Sequence, residues 1–447
     1  MSDIRGDIEL GKQDITNSPQ SYPETTLVNQ KLSWFQDQKL GVIFHWGLYA
    51  VAGIVESWEL SEADDWARRP GWRSDIETLQ RDYFNMIEDF NPVDFDPVAW
   101  AKVCRRAGYK YMIFTTKHHD GFHLWDTAQS DYKVNSVRSL FKRDIFKEVV
   151  EAFRAEGLGI GIYYSKADWY SELYWSQPHT VKSRRADYDT TQEPERWQAY
   201  VDYVHAELEE LTQNYGPIDI LWLDAGWCGQ GKEDLRMDEL AIKVRKTNPD
   251  LLIVDRMMGG RHENYVTPER KIPQVADIPT KPWESNIPYG ADWGWTHGDQ
   301  YKSSRELILS VIDVVSKGGN IILGFGPTAK GLFTPGQLAI CQDLGQFTHR
   351  FGDGIYGTRP LNYQVDDRTL YVTQAGQTLY VFYPFEVVPT QLQLPKVALD
   401  HQVVAKANLV FTDGPLVCQD IGDAYTVLLP HTEHFMNIAV VKLTLQA

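Results

Sequence analysis

The sequence predicts an α/β chain: a (β/α)8-like barrel of the TIM type followed by a C-terminal antiparallel β-sandwich. Three observations carry that prediction. Apolar runs of strand length alternate with amphipathic helical stripes over roughly 300 residues, a repetition that favours a closed barrel over an open sheet. The runs are almost continuously apolar, as strands covered on both faces must be. After Tyr356-Gly357-Thr358-Arg359-Pro360 the pattern switches to short alternating runs. With 447 residues, 43% hydrophobic and 13% aromatic, the chain has material for more than one large core.

Residues 1–30 read as a polar leader. The barrel is expected over residues 31–354, with strands at Val42-Ile43-Phe44, Tyr111-Met112-Ile113-Phe114, Ile160-Gly161-Ile162-Tyr163-Tyr164, Ile218-Asp219-Ile220-Leu221-Trp222-Leu223, Leu251-Leu252-Ile253-Val254 and Ile321-Ile322-Leu323. A seventh strand fits around Trp283-Glu284-Ser285, and no run identifies the eighth. Between strands, Ile145, Phe146, Val149, Val150 and Phe153 recur at the spacing of one helix face, which ends near Gly157. Further helices are expected over 197–213, 233–247 and 304–317. Residues 355–447 are assigned to the sandwich. There Thr369-Leu370-Tyr371-Val372 and Thr378-Leu379-Tyr380-Val381-Phe382 flank Ala375-Gly376 as hairpin arms.

Composition excludes several function classes. The chain carries 44 Lys and Arg against 61 Asp and Glu, a net charge of -17, and shows no basic run. Nucleic acid, bound through cations that displace counterions, is therefore not an expected partner. No run approaches the roughly 18 apolar residues of a membrane span, so no membrane partner is expected either. Asp, Glu and Pro interrupt the N-terminal stretch where an export signal needs an apolar core, and a cytoplasmic location is expected. Cys104, Cys228, Cys341 and Cys418 are scattered without Cys-x-x-Cys spacing, which argues for ordinary thiols.

In such a barrel the chemistry belongs at the C-terminal strand ends. The first run is followed by His45-Trp46-Gly47, the second by Lys117-His118-His119-Asp120-Gly121; the third ends in Tyr164-Ser165, and the fourth and fifth are followed by Asp224 and by Asp255-Arg256. One polar residue at a strand end is usually structural; five coincident placements point to a site. Strand alternation sends Trp222 and Asp224 to the same side, so an indole neighbours a carboxylate. Fifteen Trp and twenty-three Tyr supply flat faces for the C–H side of a sugar ring. Glycoside cleavage needs a second carboxyl group. Glu263, Glu269 and Glu284 are candidates, and spacing alone does not choose among them. His118-His119-Asp120 also admits a metal reading, but adjacent side chains on a strand diverge, so hydroxyl recognition by the imidazoles is preferred and neither metal nor cofactor is expected.

These segments together resemble the α-L-fucosidases of glycoside hydrolase family 29. The resemblance rests on Gly41-Val42-Ile43-Phe44-His45-Trp46-Gly47-Leu48-Tyr49, Lys117-His118-His119-Asp120-Gly121-Phe122-His123-Leu124-Trp125, Gly161-Ile162-Tyr163-Tyr164-Ser165, Leu221-Trp222-Leu223-Asp224, and Gly318-Gly319-Asn320 with Gly326-Pro327-Thr328. It spans roughly residues 33–360. It implies a retaining exo-hydrolase that acts on fucosylated oligosaccharides or glycoconjugates without a metal. By resemblance Asp224 is the nucleophile; His45, Trp58, His118, His119, Tyr164 and Trp222 contact fucose; and Arg256 is a charged neighbour of the nucleophile. The Thr267-Pro268-Glu269 segment resembles the acid/base region of bacterial members, so Glu269 is preferred and Glu284 is the rival. The same segment suggests members that prefer α1,3/α1,4-fucosides.

Two departures accompany the resemblance. Where many members read Glu-Trp-Tyr after the first strand, with the Glu on sugar hydroxyls, this chain reads Glu56-Ser57-Trp58-Glu59, which gives no unique Glu. The common Asn before the late Gly-Pro-Thr is replaced by Gly324-Phe325. The alternatives are a catalytically silent fucose-binding protein and a metal-dependent barrel hydrolase using His118, His119 and Asp224. Subunit number is open, a homo-oligomer included.

Overall fold

The computed structural model describes residues 24–68, 72–73, 75–176, 183–229, 231–256, 262–362, 369–410, 414–430 and 434–446. Most of the expected leader lies outside them. Seven parallel strands form the central sheet: β1 (Leu40–Phe44), β2 (Tyr111–Lys117), β3 (Gly159–Ser165), β4 (Ile220–Asp224), β5 (Leu252–Asp255), β6 (Glu284–Pro288) and β7 (Asn320–Phe325). Their spatial order is β5-β4-β3-β2-β1-β7-β6. Alternation divides the side chains between two layers. Ile43, Ile113, Tyr163, Trp222, Val254 and Ile322 share an inner cluster, while Phe44, Phe114, Tyr164 and Leu223 join the larger outer one. Burial on both faces is why these strands read as unbroken apolar runs.

The sheet is open between β5 and β6 in the ladder sense only. Residues 264–270 occupy that opening. Asn264 donates its N–H to the Ile253 carbonyl, and its side-chain oxygen accepts the Ile253 N–H at 2.7 Å. On the other side the Glu284 N–H donates to Val266 O, and the Asn286 N–H to Pro268 O. Parallel bridges Val266↔Trp283 and Glu269↔Asn286 complete the seam. This segment is the eighth wall that no apolar run announces, because an asparagine side chain replaces a backbone partner and Pro268 has no N–H to give.

Helices α1 (Thr26–Gln38), α2 (Ile76–Asn85), α3 (Pro97–Ala107), α4 (Ile145–Ala155), α5 (Pro194–Gln213), α6 (Met237–Val244), α7 (Ser304–Ser316) and α8 (Pro335–Phe351) accompany the strands. In α4, Asp144 accepts the Lys147 N–H as N-cap and the predicted stripe from Ile145 to Phe153 is buried. Truncating Phe153 to Ala would cost about 3–5 kcal/mol through the cavity it leaves. The helix expected over 233–247 is shorter than predicted, since Arg236 sits at φ 52 before its first turn. α1 stands at the end of the barrel opposite the C-terminal strand ends: Phe35 stacks on Tyr265 at 4.3 Å, and Lys31 pairs with Asp219 at 2.6 Å and Asp250 at 2.9 Å.

Beyond α8 the chain turns antiparallel. β8 (Arg359–Pro360), β9 (Tyr371–Ala375), β10 (Thr378–Pro384), β12 (Val404–Leu409), β13 (Pro415–Leu416) and β16 (Ile438–Leu445) make one sheet; β11 (Gln391–Pro395), β14 (Cys418–Asp420) and β15 (Ala424–Leu428) make the other. The predicted hairpin joins β9 to β10 with Gly376 at φ 54, where a side chain would be strained. Leu379, Val381, Leu392, Leu394, Val427 and Val441 fill the space between the sheets. All four cysteines are free thiols. Among the described residues no helix is long and apolar enough to cross a membrane.

Candidate active site

The C-terminal strand ends surround a pocket with about 770 Å³ of empty space, mouth included. β1 delivers His45, whose Cα follows Ile43 by two positions and keeps its inward parity. β2 delivers its histidines differently. A register shift between Thr115 and Lys117 adds one residue, so Lys117 points outward to Asp168 (3.0 Å) and Glu207 (2.6 Å) while His118 turns into the pocket. His119 lies just behind, its Nε2 4.0 Å from Asp224 Oδ2 and its ring 4.7 Å from Trp58. Burial strips hydration from the charged imidazolium. It pushes His118 down to about 4 and holds His45 and His119 well below their usual range, so all three are neutral near pH 7 and can donate or accept.

Asp224 ends β4 with the inward parity predicted from Trp222. Tyr163 donates its hydroxyl to Asp224 Oδ2 at 2.5 Å, and Arg256 Nη1 donates to Oδ1 at 2.7 Å. Burial alone would raise the Asp224 pKa. The Arg256 charge and the Tyr163 hydrogen bond outweigh it and keep the carboxyl ionised far below the ordinary range. The other guanidinium terminus, Arg256 Nη2, donates to Glu269 Oε2 on the seam segment. One arginine, lying 4.4 Å over the Trp222 ring, therefore joins both carboxylates.

Placement corrects two expected residues. Tyr164 faces the helix layer, where its hydroxyl donates to Glu207 at 2.5 Å; the pocket tyrosine is Tyr163. The alternation used for Asp224 would have found it, since Tyr163 shares the parity of Gly159 and Gly161. Glu284 is the first residue of β6 and lies at the end of the barrel away from the pocket, between the Tyr111 and Tyr265 hydroxyls, where burial pushes it up to about 8. It is a neutral buried acid outside the pocket lining. Glu263 does not line that pocket either.

Of three further pocket groups, the sequence left Glu56 ambiguous and Trp293 and Asn286 unread. Glu56, at φ 32, accepts the Trp293 and Gly294 N–H groups at 2.8 and 2.6 Å; burial and the Asp292 carboxylate push it up to about 7. Glu59 is buried but does not line the pocket, so of the two carboxyl groups in Glu56-Ser57-Trp58-Glu59 the pocket holds Glu56. Trp293 stacks on His45 at 5.5 Å, and it occupies the space above Gly324: a Cβ there would stand 2.5 Å from its ring. The space over Gly324 is thus filled by an indole from another loop. Asn286, on β6, presents a buried amide whose oxygen and nitrogen have no hydrogen-bond partner among the described residues. The same holds for His45 Nδ1 and His119 Nε2. Buried polar atoms without internal partners, set between indoles, suit a ligand rich in hydroxyls.

The ligand atoms of His118, His119 and Asp224 lie within 4.8 Å of one another, the spacing of a cation site. Their partners do not suit a cation. Arg256 already neutralises Asp224 through Oδ1 at 2.7 Å, and the Tyr163 hydroxyl occupies Oδ2, so the one anionic ligand of the group is engaged on both oxygens.

The family model of the α-L-fucosidases matches residues 10–353. The chain belongs to this α-L-fucosidase family, glycoside hydrolase family 29. As an α-L-fucosidase it is a glycoside hydrolase. An α-L-fucosidase of Dictyostelium discoideum is 26% identical over 349 residues, covering 74% of this chain and 72% of the relative. Among solved structures, α-L-fucosidase isoenzyme 1 from Paenibacillus thiaminolyticus superposes with a TM-score of 0.79 at 30% identity, over 94% of this chain and 100% of the other. The Thermotoga maritima α-fucosidase in complex with fucose gives 0.75 at 26% identity, over 92% and 96%.

Proposed function

We propose that this α-L-fucosidase is a retaining exo-enzyme that removes terminal α-L-fucose from fucosylated oligosaccharides or glycoconjugates. One observation carries the reading: Asp224 and Glu269 are held on the two terminal nitrogens of a single guanidinium inside an aromatic pocket. That arrangement supports the roughly 5–5.5 Å carboxyl separation of a retaining pair.

Asp224 attacks the anomeric carbon as the glycosidic bond breaks, and Glu269 gives its proton to the departing oxygen. The product is a fucosyl ester of Asp224 and a free alcohol. In the second step Glu269, now a carboxylate, takes a proton from water; the water oxygen bonds to the anomeric carbon and Asp224 leaves. Arg256 and Tyr163 keep Asp224 ionised for attack. Glu269 must exchange Arg256 for the leaving oxygen in the first step. His45, His118, His119, Glu56 and Asn286 are assigned to the sugar hydroxyls, and Trp58 and Trp222 to its apolar face. The Thr267-Pro268-Glu269 resemblance supports a preference for α1,3/α1,4 linkages.

Asp224→Ala is expected to abolish turnover, and azide to rescue Glu269→Ala by forming fucosyl azide, without rescuing Glu284→Ala. Rescue of the Glu284 variant alone would reassign the acid/base. Proton NMR should show α-fucose as the first-formed anomer; β-fucose first would refute retention.

A further inference from the structure

Ser165 ends β3 on the inward side of the sheet, two positions after Tyr163 and in register with Asp224 across the β3–β4 ladder. It is fully buried, and its hydroxyl meets two groups: the Ala167 carbonyl oxygen at 2.6 Å and His119 Nδ1 at 2.7 Å. A hydroxyl carries one proton, and a carbonyl oxygen has none to give. The Ser165 proton is therefore committed to Ala167, so Ser165 Oγ can only accept from the ring. That places the imidazole proton on Nδ1. His119 is neutral, because burial holds it well below its usual range, and Nε2 keeps a lone pair. This atom is buried without a hydrogen-bond partner among the described residues and stands 4.0 Å from Asp224 Oδ2.

We propose that Ser165 is a positioning residue that fixes His119 as a hydrogen-bond acceptor, so that the sugar group facing Nε2 must be a hydroxyl giving its proton. The proposal rests on the retaining fucosidase reading of the pocket. Asp224 Oδ2 already accepts from Tyr163, so the nucleophile and His119 turn two acceptors toward the same space. A pyranoside flanks its anomeric carbon with a ring oxygen on one side and a hydroxyl-bearing carbon on the other. The ring oxygen has only lone pairs and is repelled by both acceptors; the hydroxyl satisfies His119. The tautomer thus selects which flank of the sugar lies against the end of β2. Hydrogen bonds to the hydroxyl beside the reacting carbon strengthen as the oxocarbenium-like transition state forms, so the contact should act chiefly on kcat.

Nitrogen-15 NMR of the histidine-labelled protein reads the tautomer directly, with the His119 signal identified by its loss in His119→Gln. Nδ1 should carry the proton and Nε2 should be bare, and in Ser165→Ala the proton should shift at least partly to Nε2. Ser165→Ala should lower kcat/KM for an aryl α-L-fucoside about tenfold, mainly through kcat, and change that for the 2-deoxy analogue less than about twofold. A protonated Nε2 in the unaltered protein, a tautomer indifferent to Ser165→Ala, or equal losses on both substrates overturns the proposal while leaving the fucosidase reading intact. A correct tautomer in a protein that does not cleave the aryl fucoside overturns that reading instead, and the sugar orientation with it.

Discussion

The hydroxyl of Tyr163 donates to Asp224 Oδ2 at 2.5 Å while its neighbour Tyr164 donates to Glu207 on the other side of the same strand. Two adjacent tyrosines thus serve opposite layers. Tyr163 stabilises the ionised form of Asp224, so removing its hydroxyl raises the Asp224 pKa. Tyr163→Phe should lower kcat/KM by about 10–100-fold, the worth of a hydrogen bond to a charge, and move the acidic limb of the pH profile upward. Tyr164→Phe should leave that limb in place and lower Tm, because it strips a partner from the Lys117–Glu207 pair. The reverse pattern would show that the strand parity has been misassigned.

Glu56 provides a titration in the neutral range. Burial and Asp292 raise it to about 7, so the folded chain binds a proton there that the unfolded chain has released above about 4.5. The carboxylate, formed as pH rises through about 7, is the better acceptor for a sugar hydroxyl. kcat/KM should therefore rise across this range, and Glu56→Gln should flatten the rise and increase KM. A Gln variant that keeps the inflection assigns it to another group.

Lys39 offers a test of stability remote from the pocket. It is fully buried with no hydrogen-bond partner for Nζ among the described residues, and burial together with Arg359 lowers it from 10.5 to about 7. Between those values the unfolded chain binds more protons, so stability should rise with pH at up to about 1.4 kcal/mol per unit. Lys39→Met should be the more stable protein at pH 7 in urea, with the gap narrowing by pH 9.5. A destabilised Met variant at pH 7 would contradict this.

An asparagine at position 324, which the resemblance leads one to expect there, should do harm. Gly324→Asn would drive a side chain into Trp293, whose ring leaves no room for a Cβ. Overpacking of this kind costs about 1–3 kcal/mol. It also displaces the loop whose N–H groups hold Glu56. Lower Tm and a tenfold or greater loss in kcat/KM are expected; an unaffected variant would mean that Trp293 moves aside freely.

Periodicity made the six long runs, the sandwich hairpin and the inward placement of Asp224 legible, because burial on fixed faces leaves a repeating signal. Tyr163 was legible by the same parity and was missed, whereas what periodicity left unread shares a cause. The extra residue in β2 reverses side-chain direction between Lys117 and His118 without altering the apolar run. Glu56 sits at φ 32 in a loop, where no period exists to follow. Residues 264–270 complete the barrel through an asparagine side chain and a few bridges, so their wall has no strand signature. The preference for Glu269 came from the resemblance, since spacing left Glu263, Glu269 and Glu284 open.

That last wall has a bearing on how this enzyme fails. Sealing the barrel and presenting the proposed proton donor are a single event, since Glu269 belongs to the stretch that zips β5 to β6. With a sparser ladder than its neighbours, this seam is the natural first breach on warming. Inactivation should then precede the collapse of the remaining seven strands, and a heat-treated sample that still looks native by its far-ultraviolet signal can already be catalytically dead.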